Sequence, residues 1–309
     1  MIRYLIKRVV LLIPILFAVS TLVFSLIHLV PGDPVDLILG EQSLPADREK
    51  MREAMGLNKP VMEQYKDFLS GVVRGDLGKS LFEKRPVSTM ILERYPATLE
   101  LAALAMAVAL ALSLSFGSLA AVKRGSVWDH GSMLAGLVGI SLPGFLLGPL
   151  LVLIFAVKLD WLPVAGRQEA GSVVLPALTL GAGMAALLTR LTRSTMLETL
   201  REDYVRTARA KGVAEKTVIL KHALRNALNP VVTVAGLQFG VLLAGAIVTE
   251  KVFAWPGLGS LLVQGIERRD YPVVQGCILC IAASYTLVNL LTDVLYARLD
   301  PRIRIEAAE

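Results

Sequence analysis

GDLGKS, at Gly75–Ser80, places a lysine and a serine after a glycine, as at the end of a phosphate-binding loop. That loop cradles phosphates with backbone amides and needs a further glycine five positions before the second one. The position is Val73, so the spacing fails and predicts no nucleotide site. GAGMAA at Gly181–Ala186 has the look of a dinucleotide fingerprint, but it lies in an apolar run with no strand before it. Packing of helices through small residues explains it instead. Cys277 and Cys280 share one apolar segment and read as thiols buried against neighbouring helices. His28, His130 and His222 are too far apart in sequence for metal-ligand spacing. No Ser-His-Asp or Cys-His set and no paired embedded carboxylates can be assembled, so catalysis within the membrane has no candidate residues.

Four polar residues fall in or near apolar runs: Glu100, Gln238, Asn289 and Asp293. A carboxylate at the bilayer centre costs roughly 2.5–3.5 kcal/mol on insertion scales. Glu100 and Asp293 sit near the ends of their runs, where water reaches them. Gln238 is nearer the middle, and either bonds a neighbouring helix or faces a translocation path. Gly236, Gly240 and Ala244 recur at four-residue spacing beside it, which suits close helix approach or a path lining.

The densest charge lies elsewhere. Between Arg190 and Arg225 there are nine basic and four acidic residues, set between two apolar runs. A polybasic segment resting on anionic membrane lipid is one reading. The pattern is more particular than that. Tyr204, Val205, Ala208 and Lys211 fall close on one helical side, and Ala208 and Ala210 are small. Gly212 then permits a backbone turn that other residues resist. Val218, Leu220, Leu224 and Leu228 predict a second amphipathic helix leading to Pro230. Two short helices joined at a glycine and rooted in spans form a rigid protrusion, able to dock into a partner's groove and pass on its movement.

These residues must be positioned by a membrane scaffold. The chain is 54% hydrophobic and 19% charged, with a mean hydropathy of +0.61, against about 25% charge in soluble domains. Six runs predict spans: Val9–Val30, Ala97–Val122, Met133–Val157, Val173–Thr189, Val231–Thr249 and Pro272–Ala297. The first is too long for a signal h-region and is read as retained. Pro143 in LPGF should kink the third. Lys and Arg gather in alternate connections, which predicts cytoplasmic termini and a cytoplasmic Arg190–Arg225 loop. The connection Pro31–Pro96 is then outside, and PADREKMREAMGL and PVMEQYKDFLSGVV predict two short helices there. The expected organisation is a first span with an extracytoplasmic loop over 1–96, a transmembrane domain over 97–300 with the charged loop at about 190–230, and a cytoplasmic tail over 301–309.

RTARAKG at Arg206–Gly212, followed by HALRNAL-NP, resembles the cytoplasmic coupling loop of ABC importer permeases in the dipeptide, oligopeptide, glutathione and nickel group. Further matches run along nearly the whole chain: PGDP, GLNKP, GDLGKS, PATLEL, AAVKRGSVWDH, WLP, LPALTLG, WPGLG, RRDYPVVQG and DPRIR. The B-type permease subunits of dipeptide and glutathione importers are the most similar in appearance, and GLQFG with EKVFAWPGLG is closest to the glutathione kind. The resemblance implies an all-α membrane protein with six transmembrane helices in the MetI-like permease fold. It also implies four partners: a second, related permease, two ATPases, and an extracytoplasmic solute-binding protein that delivers substrate. ATP is then hydrolysed by the partner subunits, no cofactor is bound by this chain, and no nucleic acid is involved. Tyr204, Val205, Arg206, Thr207, Ala208, Arg209, Ala210, Lys211 and Gly212 are carried over as the ATPase-coupling helix. Gly236, Gln238 and Gly240 are the candidates for the path. The chain departs from the wider superfamily at Arg206, which stands where the general loop has Glu.

An autonomous secondary transporter or channel would call for ionisable residues near mid-membrane or an inverted repeat. A membrane-anchored binding protein would leave the charged loop without a role. A short peptide is the expected cargo, with glutathione next and nickel as the alternative.

Overall fold

The computed structural model describes residues 2–29, 35, 39, 44–54 and 56–299. PGDP and the expected tail over 301–309 lie outside the described residues. Among the described residues the regular structure is helical apart from one antiparallel bridge, Lys79 with Pro86. Apolar runs of Leu, Ala and Val meet their backbone hydrogen bonds internally only as helices in lipid.

The helices are α1 (Ile2–Leu29), α2 (Pro45–Ala54), α3 (Val61–Arg74), α4 (Val87–Val122), α5 (Val127–Ser141), α6 (Gly144–Leu151), α7 (Val174–Thr199), α8 (Asp203–Ala210), α9 (Leu224–Gly245), α10 (Ile247–Val252), α11 (Leu258–Glu267) and α12 (Tyr271–Leu299). The two short helices expected before α4 are α2 and α3. Among the described residues four helices are long and apolar enough to cross a membrane: Val87–Val122, Val174–Thr199, Glu215–Ala244 and Tyr271–Leu295. A fifth span is available if the bent pair Val127–Gly139 and Gly144–Lys158 crosses as one. The apolar stretch of α1 is shorter, Val10–Ser25.

The expected kink at Pro143 is a bend of 104°. Leu142 before it is extended, with φ −86° and ψ 113°. Proline's ring forces this on its predecessor, so α5 ends there. The second amphipathic helix expected before Pro230 does not stand apart. The chain is helical from Glu215 through Ala244 with Pro230 inside it. Its first turns pass through a π-helical segment, Val218–Ala223. The wider π turn stretches the repeat to five residues. The buried stripe is therefore Val218, Ala223, Ala227 and Val231, and Leu220 is exposed.

The chain divides into two compact units. The larger contains Leu99–Trp255 and 285–299. Its core joins Ala102, Ala105, Met106 and Ala109 of α4 to Met184, Ala185 and Leu188 of α7 and to Val231, Ala235, Leu242 and Leu243 of α9. Small residues let the axes approach: a Cβ on Gly181 would lie 2.7 Å from the Ala105 carbonyl oxygen, and one on Gly117 would lie 2.6 Å from Thr192 Cβ.

The smaller unit contains Ile6–Thr98 and Pro256–Ser284. GDLGKS opens a tight hairpin in it. Ser80 Oγ donates to Asp270 Oδ2 at 2.5 Å and accepts from the Glu83 N–H at 2.9 Å, while the Leu81 N–H donates to Asp270 Oδ1 at 3.2 Å. The serine that looked like a phosphate ligand thus ties the hairpin to the corner before α12.

Candidate functional site

The charged loop folds as a closed hairpin. Helix α8 carries Asp203 in its first turn, where a negative charge suits the helix dipole. The helix ends in a Schellman motif: the Gly212 N–H donates to the Arg209 carbonyl at 2.9 Å, and the Val213 N–H donates to the Ala208 carbonyl at 3.3 Å. Gly212 has φ +75°, the left-handed conformation that this closure needs. No atom lies within 4 Å of where its Cβ would be, so backbone conformation rather than space demands glycine.

Val205 and Ala208 are buried against Val218, with Leu200 and Val213 packed beside them. Ala208 is small enough for the two arms to close on each other. Tyr204, Arg206, Thr207, Arg209, Ala210, Lys211 and Gly212 are left exposed on the outer side. Arg209 grips Glu215 with Nε to Oε2 at 3.1 Å and Nη2 to Oε1 at 2.8 Å, bracing the hairpin across its turn. That hydrogen bond pushes the Arg209 guanidinium above its already high range. The Tyr204 hydroxyl accepts from Asn226 Nδ2 at 2.7 Å. Arg206, where the wider superfamily has Glu, lies 3.3 Å from Asp203 and keeps 72% of its side chain exposed.

The path candidates lie on α9. A Cβ on Gly236 would lie 2.5 Å from Thr292 Oγ1, and one on Gly240 would lie 3.1 Å from Tyr285 Cδ2. Both glycines permit close packing against α12. Gln238 is half-buried. Its register follows Val231, Ala235 and Leu242, which belong to the core with α4 and α7. The structure therefore does not bring Gln238 together with the two glycines.

Glu100 is ion-paired: Arg167 donates to its Oε2 from Nε at 2.9 Å and from Nη2 at 2.6 Å. The same guanidinium lies 5.8 Å from the centre of the buried Trp255 ring. Among the described residues three buried carboxylates escaped the sequence reading, Asp129, Glu250 and Asp270. Asp129 takes a two-pronged grip from Arg193. Its signal lay in SVWD, where an acidic residue stands three positions after a capping serine. Glu250, in EKVFAWPGLG, carried no positional signal of burial.

This helical scaffold and its braced hairpin can be compared with known proteins. Residues 113–305 match the family described as binding-protein-dependent transport system inner membrane component. Residues 1–102 match the N-terminal component of the same systems. The chain belongs to this family. As a binding-protein-dependent inner membrane component it is a multi-pass inner-membrane protein. It is the permease subunit of an ABC importer of the peptide and glutathione group, and not the ATP-hydrolysing subunit. It is 49% identical over 304 residues to the glutathione transport system permease protein GsiC of Escherichia coli K12, covering 98% of this chain and 99% of that one. GsiC of Shigella boydii serotype 4 is 48% identical over the same length. Among solved structures, the inward-facing MetNI methionine ABC transporter is similar at a TM-score of 0.57 and 17% identity, over 68% of this chain and 96% of that one. An amino acid ABC transporter with histidines is similar at 0.51 and 15%, over 70% and 94%. These likenesses establish the MetI-like permease fold of this family member.

Proposed function

We propose that this permease carries a short peptide, glutathione or a close analogue, into the cytoplasm by alternating access, driven by separate ATPase subunits that grip the Tyr204–Gly212 hairpin. The observation that carries this reading is the hairpin itself. Its apolar residues close inward, its turn is locked at Gly212, and its outer face offers Tyr204, Arg206, Arg209 and Lys211. A rigid, charged knob rooted in long helices is suited to a groove on a moving partner. Full-length identity near one half to a glutathione permease supports that cargo over nickel.

The assembly that follows has a second, related permease, two ATPases below and an extracytoplasmic binding protein above. The hairpin and both termini are cytoplasmic, and α2 and α3 belong to the outside loop that follows the first span within 1–96. With α1 and the bent α5–α6 pair each counted as crossing, the spans are six. A tagged pull-down in mild detergent tests the assembly. Recovery of two ATPases and a second permease supports it, and a transport-competent homo-oligomer alone refutes it. Uptake of labelled glutathione against labelled dipeptide and nickel, in cells whose only such importer is this one, decides the cargo.

A further inference from the structure

The end of α7 that bears the hairpin is held by more than its own continuation. Arg193 Nε donates to Asp129 Oδ1 at 2.6 Å, and its Nη2 donates to Oδ2 at 2.8 Å. Asp129 is 4% exposed. Its Oδ2 also accepts the Gly125 N–H at 2.9 Å. The Ser126 hydroxyl in turn caps α5 by accepting the Asp129 N–H. The fork therefore joins α7 to the turn that begins α5.

Such a pair contributes little to stability compared with apolar residues of the same volume, because the Asp129 charge loses its water and the Arg193 charge loses part of it. What a planar guanidinium–carboxylate fork supplies is geometry: two parallel bonds fix both distance and orientation. Further along this seam both helices carry small residues. Gly136 and Gly139 of α5 face Ala182 and Ala186 of α7, with built Cβ contacts of 3.5–4.0 Å. Small residues at these positions oppose sliding weakly, whereas the fork fixes a register.

Beyond Arg193, α7 runs about 9 Å to Thr199. Met196 in that stretch packs with Ala121 of α4 and with Ala223 and Ala227 of the helix returning from the hairpin. The root of the hairpin is thus a rigid foot, and Asp129 is its attachment to α5. From there α5 leads to the 104° bend and α6.

We infer that the Asp129–Arg193 fork is the joint through which movement of the Tyr204–Gly212 hairpin is delivered to α5 and the bent α5–α6 pair, which makes Asp129 and Arg193 positioning residues for transport. The inference rests on the hairpin being the coupling element.

The test uses the whole complex with its ATPases and binding protein, reconstituted in liposomes, and reads ATP hydrolysed per molecule of labelled glutathione taken up. Asp129→Asn removes the charge. Arg193→Lys keeps the charge but loses the fork, so it guards against a variant that fails to fold. The expected result is an assembled complex whose ATP cost per uptake event rises roughly 2- to 30-fold in both variants. The exchanged pair Asp129→Arg with Arg193→Asp recovers part of that loss. A wild-type ratio in both single variants overturns the inference, and so does failure of both to assemble, which would make the pair a folding requirement. Gly212→Pro runs alongside: if it also leaves the ratio unchanged, the coupling role of the hairpin falls first, whereas uncoupling by Gly212→Pro alone removes only the joint.

Discussion

Gly212→Pro strikes the one position where the hairpin has a single backbone solution. The native φ is +75°, and proline locks φ near −65°. The substitution also deletes the N–H that donates to the Arg209 carbonyl, and it displaces the neighbouring Val213 N–H from the Ala208 carbonyl. Each lost bond is worth about 0.5–1.5 kcal/mol net. A non-glycine residue forced into the left-handed region costs roughly 1–2 kcal/mol. Gly212→Pro, which cannot adopt that region, opens the turn at a cost of about 1–3 kcal/mol from the bonds, roughly 5- to 150-fold in the population of the closed hairpin. Gly212→Val keeps both bonds but carries the strain, roughly 1–2 kcal/mol. No atom lies within 4 Å of the new Cβ, so the Cβ itself adds no clash to either figure. Both variants should insert and fold in the membrane, since the helices around the hairpin are untouched. The assay is uptake of labelled glutathione by the reconstituted complex against ATP hydrolysis in the same liposomes. The expected outcome is hydrolysis that no longer drives uptake, more severe for proline than for valine. Wild-type uptake in Gly212→Pro would show that the closed turn is not what the ATPases engage.

Three further outcomes follow from the packing. Gly236→Ala places a Cβ 2.5 Å from Thr292 Oγ1; it should destabilise the protein in detergent by about 1–3 kcal/mol, and Thr292→Ala in the same chain should restore the melting temperature, whereas an unchanged melt in the single variant would deny the close contact. Ser80→Ala removes both the donor to Asp270 and the acceptor for the Glu83 N–H; a hydrogen bond to a charged group is worth about 1.5–3 kcal/mol, so protease should cut within the 77–87 hairpin faster, and equal cutting rates would refute the tie. Arg209→Ala breaks a pair whose side chains are 41% and 56% exposed; it should change stability by no more than about 0.2–1 kcal/mol, so a large transport defect in a normally melting variant would mark Arg209 as a partner contact, and normal transport would limit it to bracing the turn.

The class of the protein was legible in the order of residues because lipid imposes a length and a composition on whatever crosses it. Long apolar runs, the Pro143 break and the glycine corner at 212 are local properties: each depends on a few consecutive residues, and each reappears as a helix, a 104° bend and a left-handed turn. The same logic misplaced the boundary at Pro230, because a proline in a helix that neighbours support on Ala223, Ala227 and Val231 does not end it. Helical spacing put Tyr204, Val205, Ala208 and Lys211 on one side, but spacing cannot say which of them meets the returning arm: Val205 and Ala208 are buried against Val218, and Tyr204 and Lys211 stay exposed. Gly236 and Gly240 lie against Thr292 and Tyr285 of α12, partners that four-residue spacing does not name.

What the sequence determined by itself was therefore membrane residence, helical construction, the family resemblance and the existence of a glycine-cornered loop, all of them set by short-range pattern. Which charges meet was decided only by the tertiary structure. Asp129 and Arg193, Glu100 and Arg167, and Ser80 and Asp270 are separated by 64, 67 and 190 residues. Ion pairs and hydrogen bonds act over a few ångströms, and no local periodicity records which distant residues the packing of helices will carry to that distance.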